Sequence, residues 1–342
     1  MKVYREQLLA SLDEQDSFSV RCWPERNAQV LNGSRVQKML GKYLRYSARV
    51  FGTRDMDIVH FLDHSSGYLI PFVPRGKKIV ATLHDLIPLR YPADLSAGEI
   101  NRFRSSVNHL KKCDALISVS QYSKEEAVDL LGIPADKIHV VPNGVNAPRK
   151  ELGRCSFVRR LRERGADCVV LSVGSHQPRK NLKILPQSLK VFEKESGLKV
   201  ALLRVGTHLD APLRKEIAEV CGEGFFLEAG RLPEESLWSA YYGCDVVIVP
   251  SLYEGFGLPV IEAFACGKGV ASSNRSSLPE VGGQLAEYFD PDSPEEAGKA
   301  LARVASCRSD SDKVSQRLEA VCEVTWRRHL EGVLKVYESL GE

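Results

Sequence analysis

The chain has 342 residues, about twice the usual length of one domain, with 43% hydrophobic and 27% charged residues. That is enough apolar material for two cores and too much for a disordered polypeptide. The 47 basic and 44 acidic residues leave a net charge of +3, which gives no support to a global nucleic-acid binder, and no apolar run approaches the roughly 18 residues of a membrane span.

The chain opens on MKVYREQLLASLDEQ, which is charged and amphipathic and does not read as a signal peptide. Ser34–Phe51 follows with Val36, Met39, Leu40, Tyr43, Ser47 and Val50 on one helical face. Arg35, Lys38, Lys42, Arg45 and Arg49 lie on the opposite face, with no acid among them. Such a stripe is ordinarily a solvated face; its sharper reading is peripheral contact of 34–51 with an anionic membrane or a lipid-phosphate acceptor. Beyond it, short β-branched runs alternate with amphipathic stretches. The expected strands are Asp57–Leu62, Lys78–Leu83, Asp114–Val119, Lys137–Val141, Cys168–Val173, Lys199–Val205, Phe225–Glu228, Asp245–Val249 and Val270–Ser272. They are almost continuously apolar, as strands covered on both faces are. The expected helices are Glu99–Lys112, Ser123–Leu131, Asn181–Lys194, Ala211–Cys221, Pro233–Tyr242, Pro259–Cys266, Pro294–Ser306 and Trp326–Leu340. The repeated βα alternation predicts an α/β fold of two Rossmann-like, doubly wound domains, with a boundary near Pro142–Asn143–Gly144. Nine cysteines, none in a C-x-x-C pair, offer no zinc or redox motif and fit a reducing compartment, so the expected location is cytoplasmic.

Three segments carry chemistry. In PSLYEGFGLPVIEA, Glu254 falls on a loop and Glu262 about one turn into a helix that opens around Leu258 and Pro259. The free N–H groups of a helix start favour phosphate, and carboxylates accept sugar and ribose hydroxyls. Such a helix end flanked by two hydroxyl acceptors suits a nucleoside diphosphate carrying a sugar, which Gly255, Phe256, Gly257 and Leu258 at the helix start would bind. An E-x7-E spacing is frequent by chance, so two solvated acids remain an open alternative at this point. In VGSHQPRKN, Arg179 and Lys180 stand where a strand turns into a helix, a place for neutralising a diphosphate. In TLHDLIP, His84 and Asp85 follow a strand and so reach the ligand side of the sheet, although a packed histidine is the plainer alternative. Asp290-Pro-Asp292 and Asp55-Met-Asp57 read as a turn and a strand start, and no metal ion is expected.

Together these segments resemble the retaining glycosyltransferases of family 4, with the GT-B fold of two facing Rossmann-like domains. The resemblance runs from about Asp57 onward and is densest in GRLPEESLWSAYYGCDVVIVPSLYEGFGLPVIEAFACGKGVA. It implies that Glu254 contacts the donor sugar, Glu262 the nucleotide ribose, and Lys180, helped by Arg179, the diphosphate. His84 would lie over the donor sugar, and Gly230, Arg231 and Leu232 beside the nucleobase. Residues 1–147, joined by helix 326–342, would form the acceptor-side domain, and 148–325 the nucleotide-sugar domain. The implied activity is transfer of mannose or another hexose from a nucleotide sugar to a glycan or lipid-linked acceptor. A nucleotide-sugar epimerase or hydrolase, or a binding subunit with impaired catalysis, are the rival expectations. Two departures stand out: Ser175 occupies a position where many members have arginine, and a first strand with its glycine-rich loop is expected but not found, unless Ser17–Cys22 supplies the strand. From this the reading frame is expected to begin late.

Overall fold

The computed structural model describes Tyr4, Glu6, Leu8, Val50 and residues 52–92, 95–145 and 155–341. The expectations placed on 17–22 and on the basic stripe 34–51 lie outside these residues, Val50 excepted. The chain divides into two compact units, one of Met1–Asn143 with Trp326–Glu342 and one of Gly144–Thr325.

The first unit holds a parallel sheet of β1 (Ile58–Phe61), β2 (Lys78–Leu83), β3 (Ala115–Ser118) and β4 (Ile138–Val140), in the order β1-β2-β3-β4. Among the described strands this order advances one way only, with no reversal. Alternate residues of the sheet serve two cores. Ala81, Leu83 and Leu116 pack with Phe61, Leu110 and Leu131 on one face. Val80, Ala115 and Ile117 pack on the other against Trp326, Leu330 and Val333 of the C-terminal helix. Both faces are therefore buried, which is why these strands read as continuous apolar runs. The described helices between these strands are α1 (Ile87–Arg90), α2 (Ala97–Asn108) and α3 (Gln121–Leu131). Ser96 and Glu99 form a capping box at the start of α2, and Gly132, at φ 62°, ends α3 in the left-handed conformation.

The second unit holds a six-stranded parallel sheet. Its strands are β5 (Cys168–Gly174), β6 (Val200–Gly206), β7 (Phe226–Glu228), β8 (Val246–Val249), β9 (Gly269–Ser273) and β10 (Ala286–Phe289). The order β10-β9-β8-β5-β6-β7 runs outward in both directions from the β5/β8 pair, the doubly wound pattern whose ligand crevice opens at that reversal. Its helices are α4 (Ser156–Glu163), α5 (Leu185–Ser196), α6 (Ala211–Cys221), α7 (Glu234–Gly243), α8 (Leu258–Ala265), α9 (Leu278–Gly282), α10 (Pro294–Ser306) and α11 (Ser311–Cys322). Helix α12 (Trp326–Ser339) belongs to the first unit.

Some elements differ from expectation. The stretch taken as one helix, Asn181–Lys194, opens with a 3-10 turn, Leu182–Ile184, before α5, and a second 3-10 turn, Pro178–Lys180, stands just ahead of it. Asn181 sits between them at φ 52° with its side-chain amide donating to the Pro291 carbonyl at 2.7 Å, a conformation that interrupts a helix. Glu99–Lys112 is likewise α2 followed by a 3-10 turn over His109–Lys112. Strand β10 and helices α1, α4, α9 and α11 were not anticipated.

Candidate functional site

Strands β5 and β8 pair at the centre of the second sheet, and the loops that leave their carboxyl ends carry the two cations and Glu254. The loops are tied together by main chain as well, since the Leu252 N–H donates to the Arg179 carbonyl at 2.7 Å. Glu254 is 7% exposed. Lys180 pairs with its Oε1, to which Ser251 also donates at 2.7 Å. Arg179 Nη1 lies 3.2 Å from Oε2 and donates to the Tyr253 carbonyl at 3.1 Å. Burial alone would push the Glu254 carboxyl up, but the Lys180 and Arg179 charges outweigh it and hold the group below the usual carboxylate range. This carboxylate is the anion that makes two cations tolerable at a strand-to-helix turn.

Glu262 stands one turn into α8. Tyr241, itself fully buried on α7, donates its hydroxyl to Glu262 Oε2 at 2.6 Å. Burial raises the Glu262 carboxyl, against the opposing pull of the Tyr241 hydrogen bond and the Lys180 charge. It is therefore neither free nor a solvated first-turn acid. Gly257, at φ 112°, starts α8 with no side-chain cap, so the first N–H groups of the helix have no side-chain acceptor. Phe256 is buried with its ring in the protein, whereas Leu258 is 37% exposed. Gly230, at φ 67°, follows β7 and accepts from the Gly206 N–H at 2.8 Å; Arg231 is exposed and Leu232 half-buried.

His84 and Asp85 belong to the first unit, just beyond the end of β2. His84 Nε2 lies 2.9 Å from the Leu62 carbonyl, so that nitrogen donates. Its ring meets Tyr4 edge-on at 4.7 Å between centroids. Burial depresses its pKa to about 4, which leaves the imidazole neutral near pH 7. Asp85 accepts from the Ile87 N–H at 3.0 Å and so shapes the start of α1.

Sequence reasoning did not single out Tyr241, Ser251, Ser276 or Ser277, all of which contact one of the two glutamates. Only Ser251, three residues before Glu254, had a local signal. It also passed over Arg204, a fully buried guanidinium inside a strand that donates to the carbonyls of Ser172, Gly174 and Val205. A lone arginine in the run KVALLRV was the visible sign.

Two family models match the chain in succession: Glycosyltransferase Family 4 over residues 9–149 and Glycosyl transferases group 1 over residues 156–320. Among curated relatives, O-antigen chain mannosyltransferase B of Escherichia coli is 28% identical over 241 residues, covering 69% of this chain and 62% of that protein. The MMP alpha-(1->4)-mannosyltransferase of Mycolicibacterium hassiacum is 26% identical over 315 residues, covering 85% and 73%. The chain thus spans less than two thirds of the first relative, and 31% of the serotype-specific mannosyltransferase WbdA of Escherichia coli. Among solved structures, HepE of Anabaena in complex with UDP and glucose matches with a TM-score of 0.67 at 21% identity, covering 92% of this chain and 84% of that one. Sucrose-phosphate synthase of Thermosynechococcus elongatus matches with a TM-score of 0.67 at 21% identity, covering 89% and 78%. These likenesses show the fold, that of the GT-B glycosyltransferases. With its two units matched in order by the two models, the chain belongs to glycosyltransferase family 4.

Proposed function

We propose that this chain is a retaining glycosyltransferase that moves a hexose, mannose foremost, from a nucleotide sugar to a glycan or lipid-linked acceptor in polysaccharide biosynthesis. The observation that carries the reading is the cluster at the β5/β8 reversal: Lys180, Arg179 and Glu254 in one ion-paired group, with Glu262 a turn along α8. In this reading Lys180, Arg179 and the start of α8 stabilise the charge that develops on the departing diphosphate. Glu262 accepts ribose hydroxyls and Glu254 accepts from the donor sugar. Glu254 suits that task because three donors leave about one acceptor position on its two oxygens. Mannose is supported by the relatives, which include O-antigen chain and MMP mannosyltransferases. The role of His84 over the donor sugar and those of Gly230, Arg231 and Leu232 beside the base rest on the resemblance, as does the expectation of no metal. A cytoplasmic location, with the basic stripe 34–51 at the inner membrane face, is part of the same proposal. No described helix is long and apolar enough to cross a membrane.

Incubation with a panel of GDP-, UDP- and ADP-sugars and glycan or lipid-linked acceptors, followed by mass spectrometry and NMR of the new linkage, tests the reading. Transfer from GDP-mannose with the donor's anomeric configuration kept is the expected result. Hydrolysis or epimerisation without transfer, or an inverted linkage, overturns it.

A further inference from the structure

We propose that Ser276 and Ser277, on the loop between β9 and α9, are positioning residues that fix Glu254 for sugar transfer; the inference rests on the reading of Glu254 as the donor-sugar contact. Glu254 lies in the eight-residue connection from β8 to α8, where no helix or strand ladder holds its main chain. The neighbouring loop supplies the missing partners. The Glu254 N–H donates to Ser276 Oγ at 2.9 Å, and the Ser277 hydroxyl is shared between the Glu254 carbonyl at 2.9 Å and the Phe256 carbonyl at 2.8 Å. Ser277 is fully buried, so no water replaces its hydroxyl at these carbonyls.

Two further observations bear on Ser276. It holds φ at 55°, and only it and Asn181 among the described non-glycine residues have positive φ. A glycine would adopt this backbone without strain, but it would leave the Glu254 N–H without its acceptor. Serine at this position thus keeps a hydrogen bond to Glu254 despite its backbone cost. The loops also interlock by packing, since a Cβ at Gly257 would stand 3.1 Å from a methyl of Leu278, the first residue of α9. Strands β8 and β9 are parallel neighbours, so the two loops leave the sheet side by side, and the serine pair converts that adjacency into a fixed position for Glu254. Displacing a group that contacts the reacting sugar by about 1 Å is enough to cost on the order of 100-fold in rate.

The test compares Ser277→Ala, Ser276→Gly, Ser277→Thr and Glu254→Ala with the parent, and Ser277→Ala with the Glu254→Ala/Ser277→Ala double variant. It reads kcat and KM for transfer from GDP-mannose and, by calorimetry, Kd for free GDP. Ser277→Ala should lose about 10- to 100-fold in kcat and Ser276→Gly about 5- to 10-fold, with GDP affinity within about twofold of the parent. Ser277→Thr, which keeps the hydroxyl, should recover most of the rate. In the Glu254→Ala background the Ser277→Ala change should cost nothing further, because the group it positions is gone. Equal losses in both backgrounds, or a lowered Tm with kcat intact in both Ser277→Ala and Ser276→Gly, overturn the proposal. If Glu254→Ala itself transfers sugar like the parent, the reading of Glu254 fails, and that result is separate from a Glu254-dependent enzyme that ignores the serines.

Discussion

Lys180 has three N–H donors, one of which is directed at Glu254. The other two are available to oxygens of a diphosphate, while a free nucleoside has none to offer. Lys180→Ala should therefore weaken binding of a nucleoside diphosphate by roughly 10- to 100-fold, the equivalent of about 1.5–3 kcal/mol for a charged hydrogen bond, and leave nucleoside binding nearly unchanged. Calorimetry with both ligands checks this, and equal losses would remove Lys180 from the phosphate role. Tyr241 gives a prediction with a pH sign. Its hydroxyl is one of the influences that lower the Glu262 carboxyl, against the burial that raises it. Tyr241→Phe removes that influence, so the carboxyl rises further and keeps its proton to a higher pH, with less capacity to accept from ribose hydroxyls while protonated. Nucleoside diphosphate affinity should fall in the variant, and the gap from the parent should narrow as the pH is raised over the range the fold tolerates. A gap that stays constant or widens over that range would show that Tyr241 acts by packing alone.

Helix packing in the second unit is close enough for one methyl group to matter. On α10, a Cβ at Gly298 would stand 2.5 Å from Val191 Cβ and 2.7 Å from the Ser188 carbonyl of α5. Alanine is the better helix former by about 1 kcal/mol, but overpacking costs about 1–3 kcal/mol and should prevail. Gly298→Ala is thus expected to lower the urea midpoint without changing the slope, and a raised midpoint would mean that the helices separate freely. At this scale the sequence was most legible where burial is two-sided: Lys78–Leu83 is β2 residue for residue. It was least legible at margins. Strand β10, Ala286–Phe289, lies at the sheet edge with two of its four residues half-buried, so its apolar run is too short to stand out. Helix α11 offered only its Asp310 cap and a narrow apolar stripe among charges. The break at Asn181 depends on the Pro291 carbonyl, 110 residues away, and has no local cue. The same holds within the site. The motif residues were visible as types at spacings, but the ion pair of Lys180 with Glu254 spans 74 residues and the Ser276 acceptor for Glu254 spans 22. Such pairings come from strand order, which periodicity does not encode.

The whole molecule carries an uneven proton balance that follows from where its histidines lie. In the first unit, His60 bridges Tyr337 at 2.6 Å and Thr82 at 2.8 Å, and Thr82 meets the Tyr4 hydroxyl at 3.1 Å. His329 joins the Tyr4 hydroxyl at 3.0 Å and the Pro142 carbonyl at 2.8 Å. This network ties α12 and Tyr4 to the sheet through groups that function as neutral rings. Burial depresses His60 to about 3 and His84 to about 4, and lowers His329 as well. In an unfolded chain each would titrate near 6.5. A depressed folded pKa means that the unfolded state binds the proton first. The stabilisation from neutral burial is therefore present above about pH 6.5 and is lost as the pH falls towards 4 and then 3. At pH 5.5 the unfolded forms of His60 and His84 would together hold nearly two protons that the folded forms lack, and His329 adds to that. Glu262, raised by burial, subtracts at most one on unfolding, and ordinary carboxylates contribute little at this pH. Unfolding at pH 5.5 should accordingly take up about two protons, so stability should drop by about 3 kcal/mol per pH unit there. Calorimetric unfolding in two buffers of different ionisation enthalpy measures the uptake directly. Zero uptake or net release at pH 5.5 would mean that the rings are already charged in the folded chain, and that the His60–Thr82–Tyr4–His329 network does not hold them neutral.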